Sequence, residues 1–366
     1  MIPFPTTIDL AITGKCNLRC KHCNTSGTWK LENELSFEEI VAVLDELKEE
    51  KVFNLNLFGG EPFCYPRIFD LFKALNSCPI RVTILTNGTL IDEKAVENLR
   101  KLRFLAGIQV SIDGSRAEIH DWQRGEGSFS EAVRAVKMLV ENSLPVNIKA
   151  IINSHNYRDI ENMVAFALSL GLKGMDFGDA VECGSAACYV SDLRFEGEVC
   201  RYVMEEIFRI KKKYPGFLIG GTLGQKAGML KDFYEKGKGK GERGSFSTCP
   251  AGQSTLAIRS DGKVVPCSVF WTLVCGDLRK RSLRDIWENS PVLEEIRGLA
   301  DEPLQKYNPA CNDCDYLSFC NGGCRAAAYY SNGCDLKGFE MGNCMNFSSL
   351  YGFRVGKETV LDEKGR

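Results

Sequence analysis

Cys16, Cys20 and Cys23 stand close together in the stretch GKCNLRCKHCNT, spaced C-x3-C-x2-C. Cysteine thiolates are soft ligands, suited to zinc and to iron–sulfur clusters. A structural zinc site takes four protein ligands, so this trio would need a fourth from elsewhere in the fold. The same trio is complete for a 4Fe–4S cluster that keeps one iron open to a substrate or cofactor. Spacing alone leaves both readings open.

A second cysteine field lies toward the C-terminus. Cys249 is followed after twelve residues by Gly262 and after four more by Cys267; further on stand Cys311-x2-Cys314-x5-Cys320-x3-Cys324, then Cys344. Zinc ribbons also carry C-x2-C pairs, so the metal is again open on spacing. Cys64 and Cys78 fall outside both fields and are expected to be small buried apolar side chains. Cys183, Cys188, Cys200, Cys275 and Cys334 belong to no pattern.

The rest of the composition narrows the chemistry. The chain has 366 residues, enough for one large domain and a smaller one. Its 17 cysteines are an odd number, and the N-terminus MIPFPTTIDLAI has neither the basic nor the apolar region of an export signal. Disulfides are therefore not expected, and the protein reads as cytoplasmic. Only His22, His120 and His155 offer imidazoles, so metal binding is expected to be all-sulfur. A net charge of −2 gives no sign of electrostatic capture of nucleic acid or of an anionic membrane. No apolar run reaches the length of about 18 residues needed to span a bilayer.

The elements that must hold these cysteines alternate between strand-like and helix-like periodicity. TIDLAI (7–12) is a strand ahead of the first cysteine loop. Ser36 with Glu39 is a capping box opening an amphipathic helix through Ile40, Val43, Leu44 and Leu47. Strands follow at 53–58, 80–85, 106–112, 146–152 and 174–180, separated by helices near 66–76, 92–102, 128–142 and 157–170, with a long helix near 195–213. Six βα units predict a parallel sheet with helices outside: an α/β fold, a partial (β/α)6 TIM-like barrel. Working residues in such folds follow the C-terminal ends of the strands. Those ends carry the first cysteine trio, Gly59-Gly60-Glu61-Pro62, Thr86-Asn87-Gly88 and Ser111-Ile112-Asp113-Gly114. The expected organisation is a barrel over 1–215, a linker or helical connection over 216–248 containing the glycine-rich GKGKGERGS, a small cysteine-rich domain over 249–350 and a solvated tail over 351–366.

C-x3-C-x2-C after the first strand with GGEP after the second resembles the radical S-adenosylmethionine (radical SAM) superfamily, along essentially the whole chain. The C-terminal cysteine field resembles its SPASM extension in all seven cysteine positions and in GDLRKRSLRDIWENS (276–290), expected to be a structural helix. The resemblance implies that Cys16, Cys20 and Cys23 hold three irons of a 4Fe–4S cluster whose fourth iron chelates S-adenosyl-L-methionine. One electron would then split the cofactor into methionine and a 5′-deoxyadenosyl radical that takes hydrogen from substrate. It implies that Gly59, Gly60 and Glu61 contact the methionyl ammonium, that Ser111 and Arg124 bind carboxylate and ribose, and that His22 and the backbone of Val181 lie beside adenine. Two auxiliary iron–sulfur clusters are implied, one on Cys311, Cys314, Cys320 and Cys344, the other on Cys249, Cys267 and Cys324. For this second cluster a fourth ligand from Cys275, Cys183, Cys188, Cys200 or Cys334 and an open site are both compatible with the sequence.

Enzymes of this kind mostly modify peptides or proteins, so the expected substrate is a peptide or protein undergoing cross-linking, oxidation or epimerisation. An electron donor such as ferredoxin or flavodoxin is implied; nucleic acid and membrane are not expected partners. Sulfatase-maturing relatives carry an aspartate where this chain has Ser268, and a hydroxyl is a poor general base near neutral pH. Because Cys16 comes early, recognition of a peptide leader would fall to a separate leader-binding protein or to the barrel mouth. The alternative enzyme is a tetrapyrrole side-chain oxidase or decarboxylase of an alternative haem pathway. The alternative outside enzymes is a zinc-binding cysteine-rich adaptor.

Overall fold

The computed structural model describes residues 2–25, 33–194, 198–227, 249–300, 302–312, 317, 322–338 and 340, and the backbone of 354–355 and 358–359. The glycine-rich stretch 237–245, Cys314, Cys320, Cys344 and most of the C-terminal tail lie outside the described residues.

From the N-terminus the order is β1 (Thr7–Ala11), α1 (Phe37–Glu49), β2 (Asn54–Phe58), α2 (Ile68–Leu75), β3 (Arg81–Thr86), α3 (Glu93–Arg100) and β4 (Leu105–Ser111). Then come α4 (Ala117–Arg124), α5 (Ser128–Glu141), β5 (Val146–Ile152), α6 (Ile160–Ser169), β6 (Gly174–Asp179), α7 (Glu198–Lys213) and β7 (Leu218–Gly220). These seven strands pair in chain order and all in parallel. That is the expected partial barrel with a seventh strand, which falls in the segment read as a linker. A strand of three residues is too short to show alternation in a sequence.

Local chemistry explains the elements. The Ser36 hydroxyl accepts from the Glu39 N–H at 3.1 Å and the Glu39 carboxylate accepts from the Ser36 N–H at 2.7 Å, so the capping box starts α1. Ile40, Val43, Leu44 and Leu47 then bury one face, a spacing of three and four residues. On the strands every second residue enters the core, as with Leu55 and Leu57 of β2 or Val82 and Ile84 of β3.

The C-terminal segment contributes to the same sheet. β8 (Thr255–Ile258) lies parallel to β1 in the register Thr7↔Thr255, and β9 (Lys263–Val265) and β10 (Gly276–Asp277) follow it antiparallel. The sheet therefore runs β10-β9-β8-β1-β2-β3-β4-β5-β6-β7. Helix α8 (Leu283–Asn289) sets Leu283, Ile286 and Trp287 into the main core, and the Trp287 indole N–H donates to the Pro3 carbonyl at 2.9 Å. Arg279 binds Glu39 at 2.8 Å and Arg284 binds Glu50 at 2.8 Å, tying this segment to α1. A second, smaller core joins Phe270, Leu304, Leu317 and Leu336 to Ile296 and Leu299 of α9 (Pro291–Ala300) and Ala326 of α10 (Arg325–Ser331). The tail includes a short antiparallel pair, Arg354–Val355 with Glu358–Thr359. Among the described residues no helix is long and apolar enough to cross a membrane.

Candidate active site

The first cysteine loop leaves β1 and is zipped to the turn after β2. Gly60 N–H donates to the Thr13 carbonyl at 2.8 Å and Glu61 N–H to the Lys15 carbonyl at 2.7 Å. The approach leaves no room for side chains: a Cβ at Gly59 would lie 2.2 Å from the Thr13 oxygen, and one at Gly60 2.2 Å from the Lys15 oxygen. Gly59 also has φ +152°, a conformation that glycine alone adopts freely. Glu34 holds the same loop from the other side, accepting from Gly14 N–H at 2.5 Å and from the Thr13 hydroxyl at 3.1 Å. Nothing in the sequence marks Glu34, because its partners are set by the fold.

Glu61 turns inward and is 1% exposed. Its carboxylate accepts from the Thr86 hydroxyl at 2.6 Å, Asn87 N–H at 2.7 Å and Phe63 N–H at 3.2 Å. Burial pushes this carboxyl up to about 7, against the pull of those three donors. Asn87 in turn donates to the Asn17 side chain at 2.9 Å and lies 3.9 Å from Cys16 Sγ. The turns after β1, β2 and β3 thus form one hydrogen-bonded unit beneath Cys16.

A second unit forms beneath Cys20. Asp113, 0% exposed, accepts from Arg124 Nε at 2.5 Å through Oδ2 and from Ile151 N–H at 2.7 Å through Oδ1. Arg124 Nη1 stands 3.8 Å from Cys20 Sγ. One residue earlier on α4, the Gln123 carbonyl accepts from Lys21 N–H at 2.9 Å, so the end of this helix is bonded directly to the cysteine loop. His22 Nε2 lies 3.9 Å from Asp113 Oδ2, and burial, reinforced by Arg124, holds the imidazole down to about 3. His22 is therefore neutral, and its buried Nδ1 has no hydrogen-bond partner among the described residues. Ser111 ends β4 opposite Lys149, two residues before Asp113. Val181 follows β6, and its carbonyl accepts from Cys183 N–H at 2.7 Å.

Cys16, Cys20 and Cys23 are all partly exposed on this rim. Burial pushes Cys16 up to about 12 and Cys20 up to about 11, with the Arg124 charge opposing the rise at Cys20. The thiols of Cys16 and Cys20 are therefore protonated when free, and a metal that binds them must displace those protons. Cys249 and Cys267 pack on the second core, as does Cys311; Cys324 is exposed at the start of α10, its N–H donating to Glu340 at 2.6 Å. Among the described residues, no three Cys, His, Asp or Glu side chains stand close enough to share one metal ion. The fit of these thiols to iron–sulfur clusters thus rests on their chemistry and number, not on a preformed single-ion cage. Cys78 is buried, as expected of a small apolar side chain; Cys64 is half-buried, and its sulfur accepts from the backbone of Asn17.

Comparison with known proteins follows the same two fields. The radical SAM superfamily matches residues 10–167, and SPASM, an iron–sulfur cluster-binding domain, matches 249–315. The AdoMet-dependent heme synthase of Methanosarcina barkeri is 30% identical over 350 residues, which cover 91% of this chain and 95% of that protein. The mycofactocin maturase MftC of Mycobacterium ulcerans is 26% identical over 346 residues, covering 89% and 85%. Streptococcus suis SuiB, solved with its precursor peptide SuiA, shares the fold with a TM-score of 0.72 at 20% identity, over 92% of this chain and 75% of SuiB. The chain belongs to the radical SAM superfamily. It is an enzyme of the branch that carries a SPASM segment, and its cofactors are iron–sulfur clusters and S-adenosylmethionine.

Proposed function

We propose that this enzyme abstracts hydrogen from a peptide or protein substrate at the barrel rim, leading to a cross-link, an oxidation or an epimerisation. The observation that carries the reading is the convergence on that rim of Cys16, Cys20 and Cys23 with the Glu61 unit and the Asp113–Arg124 pair. Its extension to peptides is supported by the maturase relative, which aligns over 89% of this chain. Cys16, Cys20 and Cys23 would hold a 4Fe–4S cluster, which would supply the one-electron reduction needed for reductive cleavage of S-adenosylmethionine. The chain's own residues orient and tune. Asn87 and Arg124 approach the sulfurs of Cys16 and Cys20, and Glu61 fixes the turn facing them. Gly59, Gly60, Ser111, His22 and Val181 are proposed to line the cofactor, which would meet backbone at the glycines and a neutral ring at His22. Cys311, Cys314, Cys320 and Cys344 are proposed to hold one auxiliary cluster, and Cys249, Cys267 and Cys324 the other. A ferredoxin or flavodoxin would deliver the electron.

The heme synthase relative, aligned over 95% of its length, favours a second reading, oxidation or decarboxylation of a tetrapyrrole side chain. One experiment separates them. Anaerobically reduced enzyme with S-adenosylmethionine should release 5′-deoxyadenosine, and replacing Cys16, Cys20 and Cys23 by alanine should abolish the release. Small peptides encoded beside the gene, co-expressed with the enzyme, should then lose hydrogens by mass spectrometry. Unchanged peptides together with turnover of a carboxylate-bearing tetrapyrrole would replace the peptide reading with the second.

A further inference from the structure

Three of the thiols in the C-terminal field, Cys249, Cys267 and Cys324, leave a four-iron cluster one protein ligand short, and five other cysteines are candidates for it. Their surroundings differ. Cys275 is buried, but its charged neighbour is Arg297 and its carbonyl is held by the Ser290 hydroxyl at 2.8 Å. Cys200, buried on α7, has Lys226 and Asp179 as its charged neighbours. Cys334 lies against Tyr329, and Cys188 faces solvent.

Among the described residues, Cys183 is the one of the five that is buried and has other thiols as its electrostatic neighbours. It is 4% exposed, and its electrostatic neighbours are Cys324 and Cys23. Tyr330, whose hydroxyl accepts from Thr272 N–H at 3.2 Å on the second core, has both Cys183 and Cys267 within electrostatic range. Cys183 itself is fixed in extended backbone, φ −138°, by its N–H bond to the Val181 carbonyl at 2.7 Å. The next residue, Gly184, has φ +61° and is wedged against the first cysteine loop: a Cβ there would lie 2.5 Å from the Asn24 oxygen and 2.6 Å from the Cys23 oxygen. Ala186 N–H completes the contact with the Cys23 carbonyl at 3.4 Å.

We propose that Cys183, on the loop after β6, supplies the fourth thiolate to the cluster held by Cys249, Cys267 and Cys324. The inference rests on the assignment of that trio as cluster ligands. It closes the site to substrate at that iron, and it staples the barrel rim to the second core through a segment that also touches Cys23.

The test reads metal and thiols rather than turnover. In anaerobically purified holoenzyme, Cys183 should resist alkylation by iodoacetamide as Cys249, Cys267 and Cys324 do, while Cys188 labels; chelation of the iron should expose all four. Cys183→Ser should lower iron per chain and change the Mössbauer spectrum of the auxiliary cluster, whereas Cys275→Ser should not. Full iron in Cys183→Ser, or ready alkylation of Cys183 in the holoenzyme, would overturn the proposal. Cys267→Ser distinguishes the two levels. If it loses iron while Cys183→Ser does not, only the fourth ligand is wrong; if neither loses iron, the trio itself is misassigned.

Discussion

Arg124 and Asp113 form an ion pair out of reach of solvent, Nε to Oδ2 at 2.5 Å, directly beneath the first cysteine loop. The pair sets the orientation of the guanidinium, which is why Nη1 arrives 3.8 Å from Cys20 Sγ. Breaking a buried pair by removing one partner strands the other charge, at a cost of about 3–5 kcal/mol. Asp113→Asn should therefore destabilise the enzyme by about that amount in anaerobic denaturant unfolding. It should also reduce 5′-deoxyadenosine release. A change within about 1 kcal/mol would mean that the charge is not held by the pair.

Arg124→Lys separates two roles. The sequence resemblance has Arg124 on the cofactor's carboxylate or ribose; the fold has its guanidinium on Asp113 and Cys20. Lysine keeps the charge but cannot reach both with one planar fork. Acting through Cys20, the substitution should alter the electron paramagnetic resonance signal of the reduced cluster before any cofactor is added. A raised KM for S-adenosylmethionine with an unaltered signal would assign the residue to the cofactor instead.

Gly60→Ala places a methyl group 2.2 Å from the Lys15 carbonyl oxygen, and that oxygen is backbone, so the loop must move. Iron bound by the first cysteine loop and 5′-deoxyadenosine release should both fall at least about tenfold, the effect of only about 1.4 kcal/mol of misplacement. Thermal stability of the main core should change little by comparison. Normal iron content would show that the turn after β2 does not position the cysteines.

Glu61 gives the rim a pH dependence. Its carboxyl is raised by burial from 4.5 to about 7, so the native state holds this proton more tightly than the unfolded chain. The contribution to stability is complete below the unfolded value and is lost as pH rises through about 7. Wild type should thus lose up to about 3 kcal/mol across that window that Glu61→Gln does not lose. The readout is the slope of unfolding free energy with pH, because the amide also disturbs the bonds from Thr86 and Asn87 and shifts the offset. Parallel slopes would refute the burial argument.

Iron removal should act unevenly. The second core is small, and small cores lean on metal for stability. Chelation should accelerate amide hydrogen exchange at Leu304, Ala326 and Leu336 well before it reaches Leu55, Val82 or Ile148 in the main core. Simultaneous loss of protection in both cores would show that the second does not depend on its clusters.

What the sequence disclosed was local in origin. The capping box of Ser36 and Glu39, the alternation in the strands and the cysteine spacings are each contained within a few residues, so their physics can be read without a fold. Helix α4 escaped because the side chains it buries, His120, Gln123 and Arg124, are polar and leave no apolar stripe. The family resemblance placed the glycines of the turn after β2 beside the cofactor, and no local pattern shows the protein backbone that they also approach. In the fold the near surface is the backbone of Thr13 and Lys15.

The sequence by itself determined that soft thiolate ligands gather in two fields, while their spacing left zinc and iron–sulfur both open until the family resemblance was added; it determined the barrel, because period-two strands alternating with helices have few other packings. Only the tertiary structure decided that Thr255 pairs beside Thr7, that Glu61 spends its carboxylate on Thr86 and Asn87, and that buried Cys183 has Cys324 and Cys23 among its electrostatic neighbours. Those partners are far apart along the chain, and no local preference encodes them; they meet because the pairing of the strands and the burial of the two cores bring them together.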